Sequence, residues 1–278
     1  MIVKTSPAKI NLFLKVLRKR EDGYHDILTL MQKISLCDEI AFSLAGKGIV
    51  LHCPGSGLPE DENNLALRAA QRLLSDASRS PGVEITIRKN IPVAAGLGGG
   101  SSNAATVLLT LNELMEFHYS REKLMRMGAE LGADVPFFIY GRTAWASGIG
   151  DRFQPADEIP PLWFVLVNPG FELSTREVYE GLKLGLTNDT IKYNMPRFKT
   201  LPQIAAGLYN DLERVSIRHY PVISEIKEVL MSHGAIGSLM SGSGPTVFGI
   251  FSDEESASKA ESELKRTGIG SVCKAYSI

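Results

Sequence analysis

The residues best suited to chemistry lie in the run Pro92-Val93-Ala94-Ala95-Gly96-Leu97-Gly98-Gly99-Gly100-Ser101-Ser102, where four of five consecutive residues are glycine. Backbone without side chains lets N–H groups close on a ligand. A helix start beside them adds about half a positive charge. Such a cradle suits a polyphosphate. Glycine-rich turns also serve close packing, and that reading competes with the cradle. The run departs from two known phosphate loops. No Lys follows the glycines, and Ser101 stands where a dinucleotide fingerprint needs its third glycine. Ser101 and Ser102 have two possible roles, capping the next helix or touching phosphate or magnesium. Lys9, between Ala8 and Ile10, is either a solvated charge or a buried ammonium that needs a partner.

The elements around these residues follow from periodicity. Val83-Glu84-Ile85-Thr86-Ile87 alternates like a half-buried strand leading into the glycines, and Ala104 to Leu114 reads as a helix behind Ser101-Ser102-Asn103. Upstream, the pattern predicts a short strand at Ile2-Val3. It predicts further strands over 6–17, 27–36, 40–44 and 49–51, with a tight turn at Asp22-Gly23. Asn64 is the N-cap candidate for a helix over 65–74. A helix over 120–131 ends at Gly132, and an apolar segment over 133–141 precedes a strand over 143–148. The proline-rich stretch 154–161 is the linker candidate. A buried strand over 162–167 follows, then helices at 174–184, 200–207 and 221–233. A strand–turn–strand over 238–251, a helix over 254–267 and a strand over 271–276 close the chain. The expected architecture is α+β in two lobes with a cleft between them.

Composition narrows the function. The chain has 278 residues, 44% apolar and 22% charged, with a net charge of −1. This gives no electrostatic case for nucleic acid or an anionic membrane as partner. No apolar run approaches the roughly 20 residues of a membrane span. The first residues lack the apolar core of a signal peptide, so a cytoplasmic protein is expected. Cys37, Cys53 and Cys273 are far apart and read as small buried hydrophobes. The scattered histidines have no metal-ligand spacing, so no protein-bound metal is expected.

Three further motifs join the glycine run: Pro7-Ala8-Lys9-Ile10-Asn11, Asp22-Gly23-Tyr24-His25 and Gly132-Ala133-Asp134-Val135-Pro136-Phe137. With Ser241-Gly242-Ser243-Gly244-Pro245-Thr246-Val247-Phe248, the set resembles the GHMP kinase superfamily, whose members phosphorylate small alcohols. It is most similar to members that act on a cytidine-diphosphate-linked polyol in the non-mevalonate route to isoprenoids. The resemblance implies an N-terminal ribosomal-protein-like α/β lobe over 1–155 and a C-terminal ferredoxin-like α+β lobe over 156–278. It implies ATP as co-substrate, with magnesium, held by residues 92–102 and by Asn64. It gives Asp134 the role of base and orienter at the acceptor hydroxyl, and Lys9 that of its electrostatic partner. Asn11 would bond the polyol, while Tyr24, His25 and Tyr179 would read the cytosine. As bare sequence features, Asp134 and Asn64 suit helix caps, Asn11 a strand edge, Tyr24 an incidental surface aromatic and Tyr179 a core position.

Two other readings compete. One is a different superfamily kinase, for homoserine, mevalonate or a sugar, against which Tyr24-His25 argues. The other is a non-catalytic binding protein on the same scaffold, against which the presence of both Lys9 and Asp134 argues. The expected partner is a small molecule, and the expected state a monomer or weak homodimer.

Overall fold

The computed structural model describes residues 1–44, 46–75, 82–156, 159–182 and 198–278. The chain forms two compact units, each discontinuous in sequence. Unit 1 comprises Met1–Ala8, Leu36–Val93 and Gly98–Arg142, and unit 2 comprises Lys9–Ser35, Ala94–Leu97 and Thr143–Ile278. Two long strands, β1 (Ile2–Lys19) and β2 (His25–Leu44), contribute to both. The sequence pattern breaks each of them into pieces. The structure keeps β1 continuous through Pro7, whose fixed φ suits extended backbone although it cannot donate to a ladder.

In unit 1, β4 (Val83–Arg88) pairs antiparallel with Glu39–Leu44 of β2 and parallel with β3 (Ile49–His52). Parallel neighbours need a crossover, and α1 (Leu65–Leu74) supplies it. Helix α1 packs on α2 (Gly99–Leu114), and α4 (Val135–Tyr140) packs on both α2 and α3 (Arg121–Leu131). Gly132 ends α3, as the sequence predicts, and Ser120, which the sequence reading counts as the first helical residue, is its N-cap.

In unit 2, β8 (Tyr209–Asn210) lies parallel to β1 at Phe13 and Leu14. Residues 29–31 of β2 pair with β5 (Ala144–Ser147), which pairs in turn with β6 (Arg152–Pro155). The linker stretch therefore begins inside a strand, with Gln154 opposite Trp145 and Pro155 opposite Ala144; its positions 157 and 158 lie outside the described residues. A four-stranded antiparallel sheet follows, built from β7 (Trp163–Asn168), β9 (Gly237–Met240), β10 (Val247–Phe251) and β11 (Ser271–Tyr276). Its order, β11-β7-β10-β9, is the ferredoxin-like one.

Helices α5 (Thr175–Glu180), α6 (Leu201–Gly207), α7 (Glu213–His219), α8 (Val222–Ser232) and α9 (Glu254–Lys265) complete unit 2. Helix α7 has no counterpart in the sequence reading. Helix α5 ends at Gly181, short of the expected 184; positions 183 and 184 lie outside the described residues. Cys53 is buried, as expected, but Cys37 and Cys273 are only partly so.

Candidate active site

In unit 2, Lys9 and Asn11 project from the same side of β1, two residues apart, and both are almost solvent-free. The Lys9 ammonium donates to Asn11 Oδ1 at 2.7 Å. Asn11 Nδ2 donates to the Thr29 hydroxyl at 2.8 Å, which itself donates to the Phe13 carbonyl at 2.7 Å. This relay fixes which way the Asn11 amide faces, so its oxygen is held toward the ammonium. The Lys9 N–H donates to the Leu97 carbonyl at 2.9 Å, which ties the strand to the middle of the glycine run.

The turn between β9 and β10 closes over the same spot. Gly242 leaves room for its neighbours: a Cβ there would lie 3.2 Å from the Gly96 carbonyl, 3.4 Å from Asn11 Oδ1 and 3.5 Å from Lys9 Nζ. Gly96 approaches the turn so closely that a Cβ would collide with the Ser241 carbonyl. The Ser241 hydroxyl donates to the Gly96 carbonyl at 3.0 Å. Asn210 holds the turn by donating to the carbonyls of Met240 and Gly242, both at 2.8 Å. Sequence reasoning passed over Thr29, a single polar residue with no motif around it, whereas Asn210 lies in the run Asn210-Asp211-Leu212-Glu213, which fits the family pattern as a structural element.

The glycine run itself divides. Ala94 to Leu97 lie in unit 2, and Pro92, Val93 and the residues from Gly98 lie in unit 1. Val93, Ala94 and Gly100 are exposed, Ala95 and Leu97 are buried, and Pro92, Gly96, Gly98 and Gly99 are intermediate. Ala94, Gly96 and Gly98 all have positive φ. Helix α2 starts earlier than the sequence suggests. Gly98, at φ 69°, is its N-cap, and no side chain caps it. Neither Ser101 nor Ser102 is the expected cap, because both lie within the helix. Ser102 is fully buried and its hydroxyl accepts from Ser6 at 2.8 Å. Ser101 Oγ sits beside Gly132, 3.8 Å from where a Cβ would be. A serine in the first turn is thus placed beside the Gly132-Ala133-Asp134 segment.

Asp134 occupies the N-cap position of α4, yet its side chain makes no capping bond. Asn64 does cap: its Oδ1 accepts from the Ala66 N–H at 2.9 Å, and its Nδ2 donates to the Pro59 carbonyl at 2.8 Å. Among the described residues no cluster of three or more His, Cys, Asp or Glu could hold a metal ion.

A second group in unit 2 is aromatic. Asp22-Gly23 forms the expected tight turn, with Gly23 at φ 85°. The Arg20 guanidinium clasps Asp22, at 2.8 Å, and Asp26, at 3.2 Å. The Arg20 N–H donates to the Tyr24 carbonyl at 2.8 Å. Tyr24 is 58% exposed at the tip. The His25 ring lies 4.9 Å from the Tyr179 ring of α5 at 34°. Burial, with a smaller contribution from Lys19, lowers the His25 pKa below its ordinary value, so the ring is neutral at neutral pH. Thr175, at the start of α5, shares a 2.8 Å hydroxyl contact with Ser243, which joins this helix to the Gly242 turn.

Comparison with known proteins identifies the family. Residues 64–142 match the GHMP kinases N terminal domain and residues 194–270 the GHMP kinases C terminal domain. A 4-diphosphocytidyl-2-C-methyl-D-erythritol kinase from Syntrophus aciditrophicus (strain SB) is 57% identical over 98% of each chain. A solved structure of a 4-(cytidine 5'-diphospho)-2C-methyl-D-erythritol kinase superposes with a TM-score of 0.84 at 36% identity, covering 99% of both chains. A homoserine kinase from Cytophaga hutchinsonii, 20% identical, shares the fold with a TM-score of 0.73, covering 100% of this chain and 94% of that one. The chain belongs to the GHMP kinases and, within them, to the family of 4-diphosphocytidyl-2-C-methyl-D-erythritol kinases.

Proposed function

We propose that this kinase transfers the γ-phosphoryl group of ATP to the 2-hydroxyl of 4-diphosphocytidyl-2-C-methyl-D-erythritol, a step in the non-mevalonate supply of isoprenoid precursors. The observation that carries the reading is the buried Lys9 ammonium, oriented by Asn11 beside Gly242, on a strand tied to the glycine run at Leu97. Phosphoryl transfer to an alcohol is mostly positioning plus neutralisation of charge on the moving group. A buried cation beside a backbone of glycines supplies the second.

In this mechanism residues 92–102 hold the ATP phosphates, and magnesium arrives with ATP as part of the donor. Of the two serines, Ser101 faces the donor, since the Ser102 hydroxyl is engaged with Ser6. Asp134 accepts the proton of the acceptor hydroxyl and holds it in line. Lys9 steadies that carboxylate and the phosphoryl group. In a loose transition state the proton leaves late, so the position of the carboxylate matters more than its strength as a base. Asn11 aligns the ammonium and meets the polyol, while Tyr24, His25 and Tyr179 take the cytosine. Asn64, at the N-cap of α1, meets the donor nucleotide. Residues 1–155 and 156–278 serve as the N- and C-terminal kinase domains of a cytoplasmic monomer or weak homodimer.

ATP consumption with the cytidine-diphospho acceptor tests the assignment, with galactose, homoserine and mevalonate as controls. Turnover is expected with the first alone. Turnover with a control and none with the first would favour another GHMP kinase activity.

A further inference from the structure

Asp38 is fully buried in unit 1, and it joins two parts of the chain that flank the glycine run. On the entry side, its Oδ1 accepts the N–H groups of Asn90, at 2.8 Å, and Ile91, at 2.9 Å. Ile91 is the last residue before Pro92. On the exit side, its Oδ2 accepts from Asn103 Nδ2, at 2.9 Å, in the second turn of α2. The same oxygen pairs with the Lys89 ammonium, whose side chain is only 9% exposed. Lys89 Nζ also lies 3.1 Å from the position a Cβ would take on Gly99, the first residue of α2. Asn103 makes a second bond, to the Ser6 hydroxyl at 2.9 Å.

A carboxylate has about four acceptor positions, and here each oxygen takes two donors. A charge buried this completely would be prohibitive without a cation, and Lys89 provides one. This carboxylate fastens the chain immediately before the loop and the helix immediately after it. The loop between them has positive φ at Ala94, Gly96 and Gly98, conformations that its own sequence does not enforce. A phosphate cradle works when its N–H groups already point at the ligand, because ordering them on binding would weaken affinity.

We infer that Asp38 is a positioning residue for the donor nucleotide, acting through Asn90, Ile91, Lys89 and Asn103 to fix both ends of residues 92–98. The inference rests on the reading of this loop as the ATP phosphate site. Its consequence is selective: loosening the clasp weakens the hold on ATP and leaves the acceptor side alone.

Asp38→Asn is the informative variant. It keeps an oxygen for the Asn90 and Ile91 N–H groups but turns an amide toward Asn103 and Lys89. The expected result is a KM for ATP and a Kd for magnesium-ADP raised about tenfold, with the acceptor KM within about twofold of wild type. The double variant Asp38→Asn/Asn103→Asp exchanges donor and acceptor and should recover most of the loss. A folded Asp38→Asn protein with wild-type ADP affinity, or with both KM values raised alike, would overturn the inference. If Asp38→Asn fails to fold, Asn103→Ala takes over the test with the same expected split, since it leaves the Asp38–Lys89 pair in place. Amide resonances of Gly96 to Gly100 separate the two levels. If magnesium-ADP leaves them unmoved, the loop is not the donor site and both readings fall. If they move while Asp38→Asn and Asn103→Ala bind ADP normally, only the role of Asp38 falls.

Discussion

An ammonium removed from water costs several kcal/mol unless its donors find acceptors, and Lys9 is 4% exposed. Asn11 meets part of that need, and Thr29 keeps the Asn11 oxygen facing the right way. Asp134 and Asn64 differ in what their side chains do at the helix cap. Both stand at N-caps, but the Asn64 side chain bonds its helix and the Asp134 side chain does not. The expectation for Asp134→Asn is a kcat lowered at least about 100-fold with little change in acceptor KM, read by steady-state kinetics. A near-normal kcat would remove Asp134 from the chemistry. His25 gives a pH signature. Its pKa is depressed by burial first and Lys19 second, so its neutral form is favoured in the folded site. That preference is fully present above the ordinary imidazole value of about 6.5 and is lost as pH falls through the depressed value. The acceptor KM should be flat from neutral to mildly alkaline pH and rise only as pH falls below the ordinary imidazole value of about 6.5. In His25→Asn the profile should lose that rise, and a rise that persisted would assign it to another group.

At the scale of elements, neighbouring glycines have opposite roles. Gly96 combines φ 75° with a collision between any Cβ and the Ser241 carbonyl. Gly100 lies in the first turn of α2, where a Cβ would meet only Leu65 Cδ1, at 3.8 Å. Gly96→Ala should therefore destabilise by more than about 2 kcal/mol. Gly100→Ala should be neutral or stabilising by up to about 1 kcal/mol. Urea unfolding of the two variants distinguishes them, and equal shifts would mean that the turn does not press on Gly96. Much of this region was legible in the sequence: β4 before the glycines, a helix after them, the β9–β10 hairpin and the Asn64 cap. The start of α2 was not, because Ser101, Ser102 and Asn103 look like caps to any local rule. Ser102 and Asn103 instead use their polar atoms on Ser6 and Asp38, residues far away in sequence. Asp38 itself left one trace. It shares parity with Ile40 and Phe42 in β2, which puts a carboxylate on the inward face, and such a residue demands a partner. Lys9 and Asn11 were harder to place, since alternation along β1 suggests a polar face. That face is buried as well, so period-two logic misassigns it.

At the scale of the whole molecule, the early and late parts of the sequence share one core. Leu14, Val16 and Ile27 pack in the same buried cluster as Val165, Val167, Leu212, Val215, Ile226 and Val247. The backbone reinforces this: the Asp211 N–H donates to the Leu14 carbonyl at 3.0 Å, and the Val16 N–H donates to the Asp211 carboxylate at 2.7 Å. A fragment of residues 156–278 would retain the whole β11-β7-β10-β9 sheet, which by topology alone looks self-sufficient. It would lose three large buried aliphatic side chains, each worth about 1.5–3 kcal/mol. It would also leave β8 without its partner β1. The loss, about 5–9 kcal/mol in all, is comparable with the entire net stability of an ordinary domain, about 5–15 kcal/mol. The fragment should show helix and strand by circular dichroism, bind a hydrophobic dye and melt without a cooperative transition. The full chain should melt cooperatively under the same conditions. A sharp, reversible melt of the fragment alone would show that the four-stranded sheet and its helices suffice, and that β1 and β2 cover a core already formed.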